Sequence, residues 1–162
     1  MAIREFNEND LENILKVQES GYKYELRESP RMFRNRLSAY PSGCICYDSN
    51  NQIYGYTVFH PYYQEEVPFD SDNLIIPDDP SCIYVHNICV DEMYRKRGIG
   101  SVLFNKAKEH AINERYHNIT LVSVQDSAIF WQGLGLRIIR EAKGGYGHNS
   151  FLMTMDLENF GV

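Results

Sequence analysis

Apolar residues recur along this chain at two different spacings, and each change of spacing marks a new element. Ala2 to Phe6 has the short pattern of a strand. Leu11, Ile14, Leu15 and Gln18 then recur at helical spacing over Asp10 to Ser20, with Asn7 or Asn9 placed to cap the start and Gly21 to end it. Pro30 opens a second helix at its first turn, with Phe33, Leu37 and Tyr40 on one face and Pro41 stopping it. Cys44 to Asp48 and Gln52 to His60 read as two strands joined by a hairpin turn at Ser49-Asn50-Asn51. The apolar run within Cys82 to Val90 predicts a third, and Gly98 to Arg115 a long helix. A strand at Ile119 to Val124, a short helix at Ser127 to Leu134, and a closing antiparallel pair, Leu136 to Ala142 and Ser150 to Leu157, complete the pattern. The predicted order is β-α-α-β-β-β-α-β-α-β-β, an α/β chain. With no internal repeat, low-complexity tract or linker, residues 1–162 are expected to form a single domain.

One stretch follows neither spacing. Pro61 to Pro80 contains four prolines and the acidic residues Glu65, Glu66, Asp70, Asp72, Asp78 and Asp79. Irregular segments of that length are usually functional or mobile.

Composition narrows the function classes. The chain has 162 residues, 43% of them hydrophobic, and a formal net charge of −6. That balance argues against a nucleic-acid surface and mildly favours cationic partners such as amines. No apolar stretch approaches the ~20 residues of a membrane span. The start, Met1-Ala2-Ile3-Arg4, lacks the cationic and apolar regions of a signal peptide. Cys44, Cys46, Cys82 and Cys89 lack the paired spacing of a zinc site, so no metal is expected, and they read as reduced, buried thiols of a cytoplasmic protein.

Against this acidic background stands a basic turn, Tyr94-Arg95-Lys96-Arg97-Gly98-Ile99-Gly100-Ser101, between a strand and a helix. Glycines let a backbone approach a ligand, and the free N–H groups of a helix's first turn point at it. The helix dipole and three cations add to the attraction, which makes the turn an anion site suited to a pyrophosphate. A P-loop needs four residues between its first glycine and Gly-Lys-Ser/Thr, but only Ile99 separates Gly98 from Gly100. A dinucleotide fingerprint needs a third small residue where Leu103 stands.

Arg-x-x-Gly-x-Gly after a strand resembles motif A of the GNAT (GCN5-related) N-acetyltransferases. The segment Ala128-Ile129-Phe130-Trp131-Gln132-Gly133-Leu134-Gly135-Leu136 resembles that family's "Ala…Phe-Tyr…Leu-Gly-Phe" segment, and the element order is the family's own. The resemblance covers nearly the whole chain. It implies a GNAT fold: a mixed sheet of about six to seven strands, splayed at a bulge where coenzyme A binds, with about four helices. It also implies transfer of an acetyl group from acetyl-CoA to a primary amine of a small molecule or peptide, by direct attack in a ternary complex. Carried over residue by residue, the pantetheine arm lies along Ile88, Cys89 and Val90, with a backbone N–H near Ile88 as oxyanion donor. The pyrophosphate sits on Arg95, Lys96, Arg97, Gly98, Ile99, Gly100 and Ser101, and Phe130 and Trp131 flank the thioester. Family members pair through several surfaces, which leaves a homodimer among the expectations.

The catalytic expectations follow the same resemblance. His86 falls where many members place a general-base glutamate, and an unperturbed histidine, with a pKa of about 6.5, suits proton abstraction at neutral pH. A satisfied structural histidine is the competing reading. Many members have a tyrosine acid where Trp131 stands, and an indole has no proton to give. Either the thiolate leaves unassisted or another group serves, Tyr146 and His148 being candidates. The segment with Tyr22, Tyr24, Glu25 and Glu28 is expected at the acceptor, Tyr24 and Glu25 foremost, since aromatics with carboxylates suit a cationic amine. Two other classes stay open: a non-catalytic acyl-CoA-binding or sensing domain, suggested by Trp131, and a phosphate-binding module unrelated to CoA.

Overall fold

The computed structural model describes residues 2–157, which form a seven-stranded sheet in the order β1-β2-β3-β4-β5-β7-β6. The strands are β1 (Ala2–Glu5), β2 (Cys44–Ser49), β3 (Gln52–Tyr62), β4 (Cys82–Val90), β5 (Asn118–Ser123), β6 (Arg137–Glu141) and β7 (Phe151–Asp156). The helices are α1 (Leu11–Gly21), α2 (Pro30–Ala39), α3 (Ile99–Asn113) and α4 (Ala128–Gly133). Among the described residues only β4 and β5 pair in parallel, and α3 makes the long crossover that such a pair requires. Among the described residues no helix is long and apolar enough to cross a membrane.

Local chemistry sets the boundaries. Asn7 caps a 3₁₀ turn, Glu8–Asp10, through a capping box with Asp10, and that turn feeds directly into α1. Ser29 caps α2 ahead of Pro30. Asn50 and Asn51 both take positive φ, 54° and 60°, the conformation a tight hairpin demands and asparagine tolerates.

The sheet carries a core on each face. Cys44 and Cys46 alternate with Ile45 along β2, and the two cysteines pack under α1 and α2 with Leu11, Ile14, Val17, Met32 and Phe33. Ile45 joins Phe59, Ile83, Leu103, Phe104, Leu121 and Trp131 beneath α3 and α4. Each fully buried large side chain contributes about 1.5–3 kcal/mol. The face of α2 departs from the sequence pattern. Met32, Phe33 and Arg36 are buried, whereas Leu37 is only half-buried.

β4 is where the sheet opens. Its parallel pairing with β5 ends at Val85 and Leu121, although β5 continues to Ser123. On the other side, Val58 pairs with Asn87 and Phe59 with Val85, so His86 is the extra residue of a β-bulge.

Candidate functional site

A cavity of about 510 Å³ lies in that opening, between the end of α1, the diverging β4 and β5, the start of α3, and α4. Residues 95–101 shape one end. Lys96 and Gly98 take positive φ, 64° and 79°, which turns the chain from the Glu92–Tyr94 turn into α3. Gly98 is the N-cap of α3 and no side chain caps the helix there. Its first backbone bond runs from the Val102 N–H to the Gly98 carbonyl at 3.0 Å, so the earlier N–H groups face the cavity mouth. A Cβ on Gly100 would meet only Val90 Cγ2, at 3.8 Å, so the glycine keeps open space in front of the helix. Arg95 lines the cavity while donating to the Gly21 carbonyl at 2.7 Å, which ties the loop to α1. Lys96, Ile99 and Ser101 line it too. Arg97 instead lies over the Tyr94 ring at 5.2 Å, and Tyr94 stacks on Tyr54 at 4.0 Å.

Along the middle run Ile88, Cys89 and Val90, on the edge of β4 that has lost its neighbour. The Tyr22 hydroxyl, also lining the cavity, donates to the Ile88 carbonyl. Burial pushes the Cys89 thiol up to about 12, so it stays a protonated apolar wall. Phe130 and Trp131 stand opposite. Trp131 packs on Phe104 with ring centroids 5.4 Å apart, and its Nε1 donates to Ser127 Oγ at 3.2 Å.

The far end is lined by Leu26, Glu28, Phe69, His86 and Tyr146. Glu28 Oε2 accepts from His86 Nε2 at 2.7 Å and from the Asp70 N–H at 2.9 Å, and Oε1 accepts from Asn87 Nδ2 at 3.1 Å. Arg36, wholly buried, places a guanidinium nitrogen 3.4 Å from His86 Nδ1. A guanidinium only donates, so Nδ1 is an acceptor there and Nε2 carries the proton given to Glu28. Both ring nitrogens of His86 are therefore engaged. The Tyr146 hydroxyl donates to the Val67 carbonyl, and burial raises its pKa further. Its proton is already committed.

Tyr24 and Glu25 do not join this site. The 3₁₀ turn Tyr24–Leu26 leaves Tyr24 79% exposed and Glu25 exposed, while Leu26 and Glu28 turn inward. Sequence reasoning missed Arg36 and Phe69 and ranked Glu28 below its neighbours. The available signal was that Glu28 immediately precedes the N-cap of α2, a position whose direction the helix start fixes.

The irregular segment between β3 and β4 is an ordered strap. Ser29 N–H and Oγ both donate to Asp70 Oδ1, at 2.7 and 3.0 Å, and Arg36 donates to the Ser71 carbonyl at 2.8 Å. On the other flank Phe69 N–H donates to the Gly144 carbonyl at 2.9 Å, and Glu66 accepts from Arg140 and from the Lys143 N–H. Burial pushes the Glu66 pKa up, but the bonds from Arg140, Lys143 and Gly144 outweigh it, so the group is held below its ordinary 4.5. A depressed carboxylate pKa contributes stability that is complete above the unfolded value and is lost as pH falls through the folded one. Urea melts from neutral pH down to about pH 3 should therefore show an acid loss of stability that Glu66→Gln reduces. A variant with an unchanged acid limb would show that Glu66 does not couple the strap to pH.

Comparison with known proteins follows the same lines. Residues 9–136 match the acetyltransferase (GNAT) family. An uncharacterised N-acetyltransferase of Bacillus subtilis, YkwB, is 27% identical over 132 residues, covering 74% of this chain. The match spans only 58% of that relative's length. Among solved structures, the loading GNATL domain of CurA from Lyngbya majuscula superposes with a TM-score of 0.83 at 11% identity, covering 96% of each chain. The PaiA N-acetyltransferase of Thermoplasma acidophilum, solved with coenzyme A, gives a TM-score of 0.70 at 15% identity, covering 96% of this chain and 98% of the other.

Proposed function

The chain belongs to the GNAT acetyltransferase family, and from that premise we propose that it moves an acetyl group from acetyl-CoA to a primary amine. One observation carries the reading. A single cavity joins an uncapped helix N-terminus behind glycines, an unpaired strand edge and a buried carboxylate. Those three features suit, in order, a pyrophosphate, an amide-bearing arm and an amine. The Thermoplasma neighbour's complex with coenzyme A supports the first two assignments.

In this reading the N–H groups of residues 98–101 and the Lys96 ammonium hold the pyrophosphate. The pantetheine arm pairs with Ile88 to Val90 like an added strand, and a backbone N–H near Ile88 stabilises the oxyanion. Proton transfer falls to Glu28 rather than to His86 directly. His86 Nδ1 faces the Arg36 guanidinium and is closed to an incoming proton, whereas Glu28 presents the charged group its neighbours orient. The ammonium gives one proton to Glu28, its nitrogen attacks the thioester carbonyl, and a C–N bond forms as the C–S bond breaks. The nitrogen's second proton goes with the leaving thiolate to make the free thiol, and Glu28 returns its proton to solvent. With the Trp131 and Tyr146 donors both occupied, the thiolate leaves without a dedicated acid.

Acetyl-CoA at a hundredfold excess over Kd should add about 2.7 kcal/mol of stability, read as a raised melting temperature, with no shift from ATP or NAD. A shift with all three would return the turn to a generic phosphate site. Thiol release over a panel of amines tests the chemistry. The occupied donors on Trp131 and Tyr146 favour one second reading, an acyl-CoA sensor, which would bind acetyl-CoA and release no thiol.

A further inference from the structure

We infer that the acceptor is a small monoamine with an apolar body, and that peptides and free amino acids are excluded by the way the strap closes the far end of the cavity. The inference rests on the N-acetyltransferase reading above and concerns the other substrate of that site.

Three observations carry it. The first is enclosure. The strap lies between the start of α2 and the β6–β7 turn and is bonded to both, through Asp70 on one side and Phe69 on the other. It also approaches the turn closely: a Cβ on Gly144 would stand 2.7 Å from Glu66 Oε2 and 3.3 Å from Pro68 Cα. Val67 is 1% exposed, so the strap is packed into this place rather than resting on it. An extended peptide laid between α2 and the β6–β7 turn would have to displace that network. The arm of the donor would share the same cavity of about 510 Å³, which reduces the space left beside Glu28.

The second is charge. Glu28 is 6% exposed and Oε1 has a single bonded donor, Asn87 Nδ2, so that oxygen retains acceptor capacity for one ammonium N–H. Among the described residues, the cations lining the cavity are Arg95 and Lys96, both in the loop at the opposite end. An amino acid's carboxylate would therefore enter beside Glu28 with no cation on the cavity wall to meet it, since Arg36 is 0% exposed and lies behind that wall, its Nε without a partner. The third is the wall around the carboxylate: Leu26, Phe69, Val85 and Tyr146 are apolar or aromatic, and an aromatic face beside an ammonium adds cation–π attraction.

The test is initial-rate thiol release by the full chain with saturating acetyl-CoA and a graded set: phenethylamine, an alkyl monoamine, phenylalanine amide, phenylalanine, and a tetrapeptide with a free N-terminus. The expected order of kcat/KM places the monoamines at least tenfold above the amide and about a hundredfold or more above the acid and the peptide. Glu28→Gln should raise KM and lower kcat for the monoamines while leaving acetyl-CoA binding unchanged. If that variant does not fold, the wild-type order decides alone. Peptide or amino acid turnover equal to that of the monoamines overturns the inference and leaves the transferase reading standing. Acetyl-CoA binding with no thiol release from any amine overturns both.

Discussion

Gly100→Glu is expected to weaken acetyl-CoA binding about a hundredfold, on the order of 3 kcal/mol, while leaving the fold intact or slightly more stable. The two effects have opposite signs because the same feature causes both. Position 100 is the second residue of α3, where a carboxylate interacts favourably with the helix dipole, and where replacing glycine gains helix propensity of a few tenths to ~1 kcal/mol. The protein has space for the side chain, since a Cβ there meets nothing closer than Val90 Cγ2 at 3.8 Å. That space faces the uncapped N–H groups, so the new charge lies where a pyrophosphate would otherwise accept them. Calorimetric titration and thermal melting of the same sample check the pair of outcomes. Unchanged affinity would remove the helix N-terminus from donor binding, and a large loss of stability would show that the glycine is structural instead.

Arg36→Met is expected to destabilise the chain by about 3–5 kcal/mol, a large share of the roughly 5–15 kcal/mol that holds a domain together. Methionine nearly conserves the packed volume, so the loss reports charge rather than a cavity. Arg36 is 0% exposed, and burial pulls its pKa down while the Glu28 charge pulls it back up. Without the guanidinium, Glu28 becomes a buried carboxylate with no cation beside it, and the Ser71 carbonyl loses its donor at 2.8 Å. A double-mutant cycle isolates the first of these effects. Once Arg36 is methionine, Glu28→Gln should cost far less than in the wild type, measured by urea midpoints. Additive losses would show that the two charges do not stabilise each other.

Much of the scaffold was legible because it rests on local chemistry. Ser29-Pro30, Asn50-Asn51 and the two glycines of the basic turn each fix a turn or helix start within a few residues. The observed strands fall within one or two residues of the pattern for the same reason. The shape of the basic turn was legible on similar grounds, since residues 95–101 carry their whole geometry in one loop. The far end of the cavity was not. Arg36 interrupts an apolar face and reads as solvent-exposed unless His86, 50 residues distant, is known to meet it with Glu28 bonded to the same histidine. Tyr24, Glu25 and Glu28 are equivalent in sequence, and a single 3₁₀ turn separates the exposed pair from the buried one. The strap has no periodicity at all, because its order comes from Glu66, Asp70 and Asn35 bonding to backbone that is distant in sequence.

The short junction between β4 and β5 has a mechanical consequence. Four residue pairs are all that stitch β1–β4 to β5–β7 along the sheet, with α3 bridging the two plates from one face. An extended ligand laid along Ile88 to Val90 adds rungs in line with that seam. In the reading proposed above, binding of the donor would stiffen the sheet and its release would return the protein to a more compliant form. Substitutions that lengthen the stitching would gain rigidity and close the strand edge that this reading gives to the donor.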